Sequence, residues 1–189
     1  MANRGDGKEK AGGSGAGMSC LVIGAGVLVG GICVIGVLAA VVIPAFISYV
    51  KRSKATEARM NLVDQYQAAA AYYAEEHMGP DGTMVRACTV DPSITPNIPG
   101  AHKTSLTGRW PQPFVELGAT PSDPLYYRYE IVGGPARCGV GPNESIYTFR
   151  AYGDLDDDGV LSTFELAVSS DANNELIRSG GVHIVQELE

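Results

Sequence analysis

The stretch from Leu21 to Met78 constrains this chain more than any other. It opens as an apolar run of 29 residues, Leu21 to Tyr49, interrupted by a single proline at Pro44, and passes without a turn signal into an amphipathic run from Lys51 to Met78. A helix needs about 20 apolar residues to cross a hydrocarbon core, so the first half is long enough to span a membrane. In the second half Ala55, Ala58, Leu62, Tyr66, Ala69 and Tyr73 recur at steps of three and four. That spacing places them on one stripe, with Lys54, Glu57, Arg59, Gln65 and Glu76 mostly off it. One long helix is predicted, apolar on all sides at first and one-sided afterwards. Pro44 removes a backbone hydrogen bond at a cost of about 3 kcal/mol, which predicts a kink or local melting between Gly36 and Pro44.

The rest of the chain divides around this helix. Residues 1–17 are Gly-rich with scattered charges and read as a flexible tail. Residues 18–50 form the membrane half of the helix and 51–78 its amphipathic half. Gly79-Pro80-Asp81-Gly82 is a helix stop. From there, 79–124 is rich in Pro, Thr, Ser and Asn without a sustained period and reads as a long loop region with room for one short strand or helix. Residues 125–189 carry strand signals: Leu125 to Val132 and Ser145 to Tyr152 are dense in β-branched and aromatic residues and read as an antiparallel pair, and Gly181 to Glu189 alternates as a last strand. Tyr126, Tyr127, Tyr129, Tyr147 and Tyr152 on these strands are read as sheet packing rather than a ligand platform. The fold class is α+β, a long N-terminal membrane-spanning helix packed on a C-terminal antiparallel β-sheet.

The segment Val34-Ile-Gly-Val-Leu-Ala-Ala-Val-Val-Ile-Pro-Ala-Phe46, followed by Tyr49, Lys51-Arg-Ser-Lys54 and Glu57-Ala58, resembles the N-terminal helix of type IV pilins and type II secretion pseudopilins. The match runs over about 25 residues with Gly36, the Ala-Ala pair and Pro44 in register. The resemblance implies a structural, filament-forming subunit that contacts copies of itself or other pilins through this helix, with Gly36 and Pro44 as the kink and assembly positions. It also implies a variable segment between helix and sheet, and the run Trp110 to Phe114 with Leu117, Gly118 and Pro121 to Pro124 resembles a pilin lead-in to the sheet. The chain departs from the family at three places. Val27 stands where the family has a glutamate that pairs with a neighbouring N-terminus; Val22 stands for the glycine before the prepilin peptidase cut, and Ile23 for the aromatic after it. Either the chain is not processed in the usual way, or the cut lies elsewhere, for instance after Gly24 or Gly26.

Charge is placed unevenly. Residues 1–62 carry 7 Lys/Arg and 3 Asp/Glu, whereas 63–189 carry 7 and 18, a net of −11. An acidic exposed domain argues against nucleic acid as a partner and leaves membrane lipid as the contact of the anchor. Basic residues flank the apolar run on both sides, and the positive-inside rule alone slightly favours a cytoplasmic domain. Cys20 and Cys33 lie in or beside the span, while Cys88 and Cys138 form a pair in the soluble part, available for one bridge or present as two buried thiols. A bridge would close a loop worth about 4 kcal/mol in the chain-entropy model and needs an oxidising compartment. With the resemblance, this predicts a single-pass inner or cytoplasmic membrane protein, its N-terminus cytoplasmic and its domain periplasmic or at the surface.

One stretch outside the helix carries chemistry. In Asp154-Leu-Asp-Asp-Asp-Gly-Val-Leu-Ser-Thr-Phe-Glu165, acidic oxygens stand at positions one, three and five, glycine at six, Ser162 at nine and Glu165 at twelve, the order of a Ca²⁺ loop. A hard cation takes six to eight oxygens at about 2.3–2.6 Å. Asp154, Asp156, Asp158, the Val160 carbonyl, Ser162 and a bidentate Glu165 are the predicted Ca²⁺ ligands, with Asp157 pointing away. Because a strand rather than a helix precedes the loop, the predicted ion is a structural staple rather than a sensor. His77, His102 and His183 share no metal spacing, Asn143-Glu-Ser145 is a formal sequon of little weight, and no nucleophile elbow, phosphate loop or zinc motif occurs, so no enzymatic activity is predicted. Two rival classes remain: a membrane-tethered binding module that does not assemble and uses loops within residues 80–123, and a Ca²⁺-triggered sensor.

Overall fold

The computed structural model describes the backbone of residues 15–79 and 81–188, and side chains from Gly36 onward. The flexible tail expected over the first residues, and the side chains at Cys20, Val22, Ile23, Val27 and Cys33, lie outside the described residues. The chain divides between Ile47 and Ser48 into two units.

The first unit is the apolar half of one helix, α1, which runs from Gly15 to Ala74. Its helical backbone continues through Pro44, so the expected local melting does not occur. The ladder on either side of a proline supplies the bonds that hold it in place, and one missing donor does not break a helix of this length. Val37, Leu38, Val41, Val42, Ile43, Phe46 and Ile47 are all exposed. Between Gly36 and Ala74 the helix contains a stretch long and apolar enough to cross a membrane.

In the second unit the same helix becomes one wall of a core. Ala55, Ala58, Leu62, Ala69 and Tyr73 are buried, as their spacing predicts, and join one cluster with Tyr127, Tyr129, Ile131, Phe149, Ala151, Phe164, Leu166 and Val168 of the sheet. Gln65 is buried as well. It stands three residues after Leu62 and four before Ala69, inside the stripe rather than beside it, so its expected solvent position is corrected.

The amphipathic half ends at Ala74, four residues earlier than predicted. His77–Met78 (β1) pairs antiparallel with Met84–Val85 (β2). Gly82 at φ 80° and the Asp81 carboxylate, which accepts the Thr83 N–H at 3.1 Å, make the turn between them. The 79–124 region is more ordered than a loop: Ser93–Ile94 (β3) joins the main sheet, and the Trp110–Leu117 run yields a short helix, Gln112–Leu117 (α2), stopped by Gly118 in the left-handed conformation.

The main sheet adds Arg128–Gly133 (β4), Ser145–Gly153 (β5), Ser162–Ser170 (β6), Leu176–Arg178 (β7) and His183–Val185 (β8). Its order is β3-β4-β5-β6-β7, all antiparallel, with β8 pairing with β6 beside β7. The expected pair is β4 and β5. The central partner of β5 is β6, a nine-residue strand that the sequence reading missed. Its signal is present: Ser162, Phe164, Leu166 and Val168 are buried and alternate with less buried neighbours, the period of a strand with one face on a core.

Polar ties fix the helix on the sheet in a regular order. Tyr73 Oη donates to Asn174 Oδ1 at 2.8 Å, Tyr66 Oη to the Leu176 carbonyl at 3.1 Å, and Asn61 Nδ2 to Tyr129 Oη at 2.7 Å. Nearer the span, the Tyr126 N–H donates to Glu57 at 2.8 Å and Lys54 Nζ to the Ala101 carbonyl at 3.2 Å.

Two outcomes follow from this core. Leu62→Ala should destabilise the detergent-solubilised chain by about 2–5 kcal/mol in urea unfolding, whereas Met60→Ala, at an exposed site on the same helix, should change it by less than about 0.5 kcal/mol. Burial pushes the tyrosine hydroxyls of Tyr127 and Tyr147 up to about 12 and that of Tyr129 well above its usual value. The folded state therefore holds these protons more tightly than the unfolded chain, so the stability they contribute is intact below pH about 10 and is lost as pH rises through that range toward 12. Unfolding monitored against alkaline pH should show that loss.

Candidate functional site: the acidic loop between two strands

β5 ends at the buried Gly153, and the loop to β6 follows. A Cβ on Gly153 would lie 2.3 Å from Tyr127 Cε1 and 2.7 Å from Ser162 Oγ. Tyr127 packs edge-on against Phe164 with ring centroids 5.6 Å apart, so that ring cannot withdraw. Leu155 is buried and pins the loop to the core. Gly159, at φ 88°, turns the chain back toward β6.

Within this loop Asp154 is largely buried and organises its own turn: one carboxylate oxygen accepts the Asp158 N–H and the other the Gly159 N–H, each at 3.1 Å. Asp158 accepts the Val160 N–H at 2.8 Å. One oxygen each of Asp154, Asp156 and Asp158 lies within 4.8 Å of the others. Oxygens on opposite sides of a cation at 2.3–2.6 Å stand about 5 Å apart, so these three carboxylates are close enough to share one. A positive group already faces the cluster: Lys51 Nζ of α1 pairs with Asp156 at 2.7 Å. Asp157 turns away from the cluster, as predicted, and its Oδ1 accepts the Ala101 N–H at 2.9 Å.

The structure does not bring the other predicted ligands together in the same way. Glu165 stands three residues into β6, opposite Arg150 in the register, and takes the Arg150 Nε–H at 2.6 Å. His183 Nδ1 of β8 lies 4.0 Å from its other oxygen. Strand geometry is the reason: about 3.3 Å per residue carries Glu165 along the sheet, away from the loop. Burial, the largest single influence, would lower the Arg150 guanidinium's pKa, but the bond to Glu165, that carboxylate's charge and Tyr152 together outweigh it and the net shift is upward. Ser162 Oγ is fully buried and donates to the Gly153 carbonyl at 3.2 Å. Val160 remains in the loop, partly exposed.

The bridge between Cys88 and Cys138 is present, 50 residues apart in sequence. It joins two segments that are also paired through their backbones: the Thr89 N–H donates to the Arg137 carbonyl at 2.7 Å and the Val140 N–H to the Ala87 carbonyl at 3.1 Å. The Ala87 N–H donates to the Tyr73 carbonyl at 3.0 Å, and the Val90 N–H to Tyr147 Oη at 2.8 Å. The bond therefore locks the end of the helix, the long connection and the sheet to one another.

The remaining sequence candidates have ordinary structural partners. His77 contacts the Tyr72 carbonyl at 2.7 Å and its ring. Tyr126 lies between the ammonium groups of Lys54 and Lys103, at 4.6 and 4.9 Å from its ring centroid, and Tyr152 donates to Glu130 at 2.6 Å. No family model, curated protein or solved structure matches the chain.

The two glycines of the loop should behave differently. Gly153→Ala forces a methyl into a packed ring and should cost about 1–3 kcal/mol or more. Gly159→Ala meets open space and should cost about 1 kcal/mol, the strain of its left-handed backbone. Urea unfolding of the two variants separates these effects.

Proposed function

We propose that this protein is a structural, membrane-anchored subunit of the pilin-like type, a minor or atypical component of a type IV pilus or type II secretion pseudopilus, with its domain outside the cytoplasm. The observation that carries the reading is the single helix from Gly15 to Ala74. Its described apolar stretch exposes Val37, Leu38, Val41, Val42, Ile43, Phe46 and Ile47, and its second half closes the core of an antiparallel sheet. Such an element serves a protein whose anchor is also its assembly surface. The Cys88–Cys138 bridge supports an oxidising compartment for the domain, and the Gly36-to-Pro44 register supports assembly through the helix.

The acidic loop is assigned to a structural Ca²⁺. Asp154, Asp156 and Asp158 would hold it, with the Val160 carbonyl and water completing the oxygen shell and Glu165 left to Arg150. The ion would neutralise the loop and fasten the β5–β6 connection. At a dissociation constant of about 10⁻⁴ to 10⁻³ M, usual for extracellular sites, about 1 mM Ca²⁺ should stabilise the full chain by about 0.4–1.4 kcal/mol and raise its unfolding temperature accordingly. Asp154→Asn and Asp158→Asn should abolish the shift. An unfolding temperature indifferent to Ca²⁺ contradicts the assignment.

The intact mass of the native chain from sheared surface filaments, compared with that from membranes, tests the assembly reading. A chain beginning near residues 23–27 in the sheared fraction supports it. A full-length chain confined to membranes overturns it and favours the tethered, non-assembling module that Val27 and the altered peptidase signal would suit.

A further inference from the structure

The Cys88–Cys138 bridge is open to solvent on one side only. Cys88 is 1% exposed, between the buried Ala87 and Thr89. Cys138 is exposed, and so is every residue of the stretch 133–139 around it. Thiol–disulfide exchange requires access of the attacking thiolate to the sulfur it attacks. In the folded domain a reagent from solution therefore meets the bridge through Cys138.

The two segments that carry the cysteines do not depend on the bond for their alignment. The Thr89 N–H donates to the Arg137 carbonyl at 2.7 Å and the Arg137 N–H to Thr89 Oγ1 at 3.1 Å. On either side, the Gly139 N–H donates to the Arg86 carbonyl at 3.1 Å and the Ala136 N–H to Asp91 Oδ1 at 2.8 Å. With the bond open, these contacts keep the two sulfur atoms neighbours and Cys88 covered. Between the tied Arg137 and Gly139, the N–H and carbonyl of Cys138 take no hydrogen bond among the described residues. They are left for an extended segment of another protein to pair with, as an added strand takes up unpaired backbone.

We propose that Cys138 is the point at which a thioredoxin-fold oxidoreductase, a protein with a Cys-x-x-Cys disulfide, docks on the folded domain and closes this bridge. The Cys138 thiolate attacks one sulfur of the partner's disulfide, forming a mixed disulfide and expelling the partner's second sulfur as a thiolate. The Cys88 thiolate then attacks Cys138 Sγ, the bridge forms, and the partner's first sulfur leaves. Two electrons pass from the chain's thiols to the partner, whose two thiolates take up the protons that Cys88 and Cys138 release. Cys88 acts as the resolving group: burial keeps it from the partner, and its place opposite Cys138 keeps it in reach. The reading of the domain as exported enters only as the compartment where such a partner is met; the exchange itself is tested on the purified chain.

The test uses the full chain in detergent, in a Cys20→Ser, Cys33→Ser background. After reduction the chain should keep the far-ultraviolet circular dichroism of the bridged form, and brief alkylation should modify Cys138 while sparing Cys88 until urea is added. Loss of the dichroism on reduction, or equal alkylation of the two thiols, overturns the proposal. The reduced chain should also close its bridge in native buffer when given thioredoxin in its disulfide form, a readout that needs no variant at either cysteine; failure to close overturns the proposal. Docking at Cys138 is read with thioredoxin that retains only its first active-site cysteine, loaded as a mixed disulfide with thionitrobenzoate. Cys88→Ser should release thionitrobenzoate and gain the mass of one thioredoxin, whereas Cys138→Ser should do so only in urea. Reaction of Cys88→Ser with the small disulfide dithiobis(nitrobenzoate) but not with the loaded thioredoxin leaves Cys138 to small reagents alone and overturns the docking.

Discussion

One unbroken helix with two different surroundings is the constraint on which the rest of this structure depends. Its second half buries small residues, Ala55, Ala58 and Ala69, around Leu62 and Tyr73. Small side chains let the sheet approach closely, and the large volumes come from the other side, from Tyr127, Tyr129, Phe149 and Phe164. The first half has no such partner among the described residues, and its exposed valines, isoleucine and phenylalanine would each cost on the order of 1.5–3 kcal/mol in water relative to a covered position. The helix that carries them is long and apolar enough to cross a membrane.

The sheet is locked to this helix by devices of different kinds. Burial supplies most of the stabilisation. Hydrogen bonds donated by Asn61, Tyr66 and Tyr73, and the one Glu57 accepts from the Tyr126 N–H, add register, because each joins one helix position to one strand or loop. The Cys88–Cys138 bridge closes a long connection beside the helix end and limits the unfolded chain. At the opposite end, charge takes over: Lys51 meets Asp156, and Lys54 and Asp157 hold Ala101 from two sides. Such partly exposed pairs are individually worth about 0–1 kcal/mol, which suits a loop whose own acidic groups leave room for a cation.

Much of this was legible from residue order, and the parts that were not share a cause. The helix and its stripe follow from period alone, and Tyr129 and Tyr147 pack as aromatic strand residues should. Gln65 was misplaced because its polarity was weighed above its position between Leu62 and Ala69. The central strand β6 was missed through one ambiguity: Ser162 to Glu165, read as the end of a cation loop, is also the start of an alternating strand. Only the partner strand decides between them, since Arg150 lies opposite Glu165, and strand register is not local information. The turn at Gly79–Gly82, read as a helix stop, instead joins β1 to β2, and the helix ends earlier, at Ala74.

The account turns on where the domain resides. Its most direct measurement is the redox state of the four cysteines in living cells, trapped with acid, unfolded and alkylated before and after reduction, with the modified sites read by peptide mass. A domain carried outside the cytoplasm by this helix predicts Cys88 and Cys138 protected until reduction, with Cys20 and Cys33 open to alkylation from the start. Free thiols at both Cys88 and Cys138 would place the domain in a reducing compartment and contradict the account.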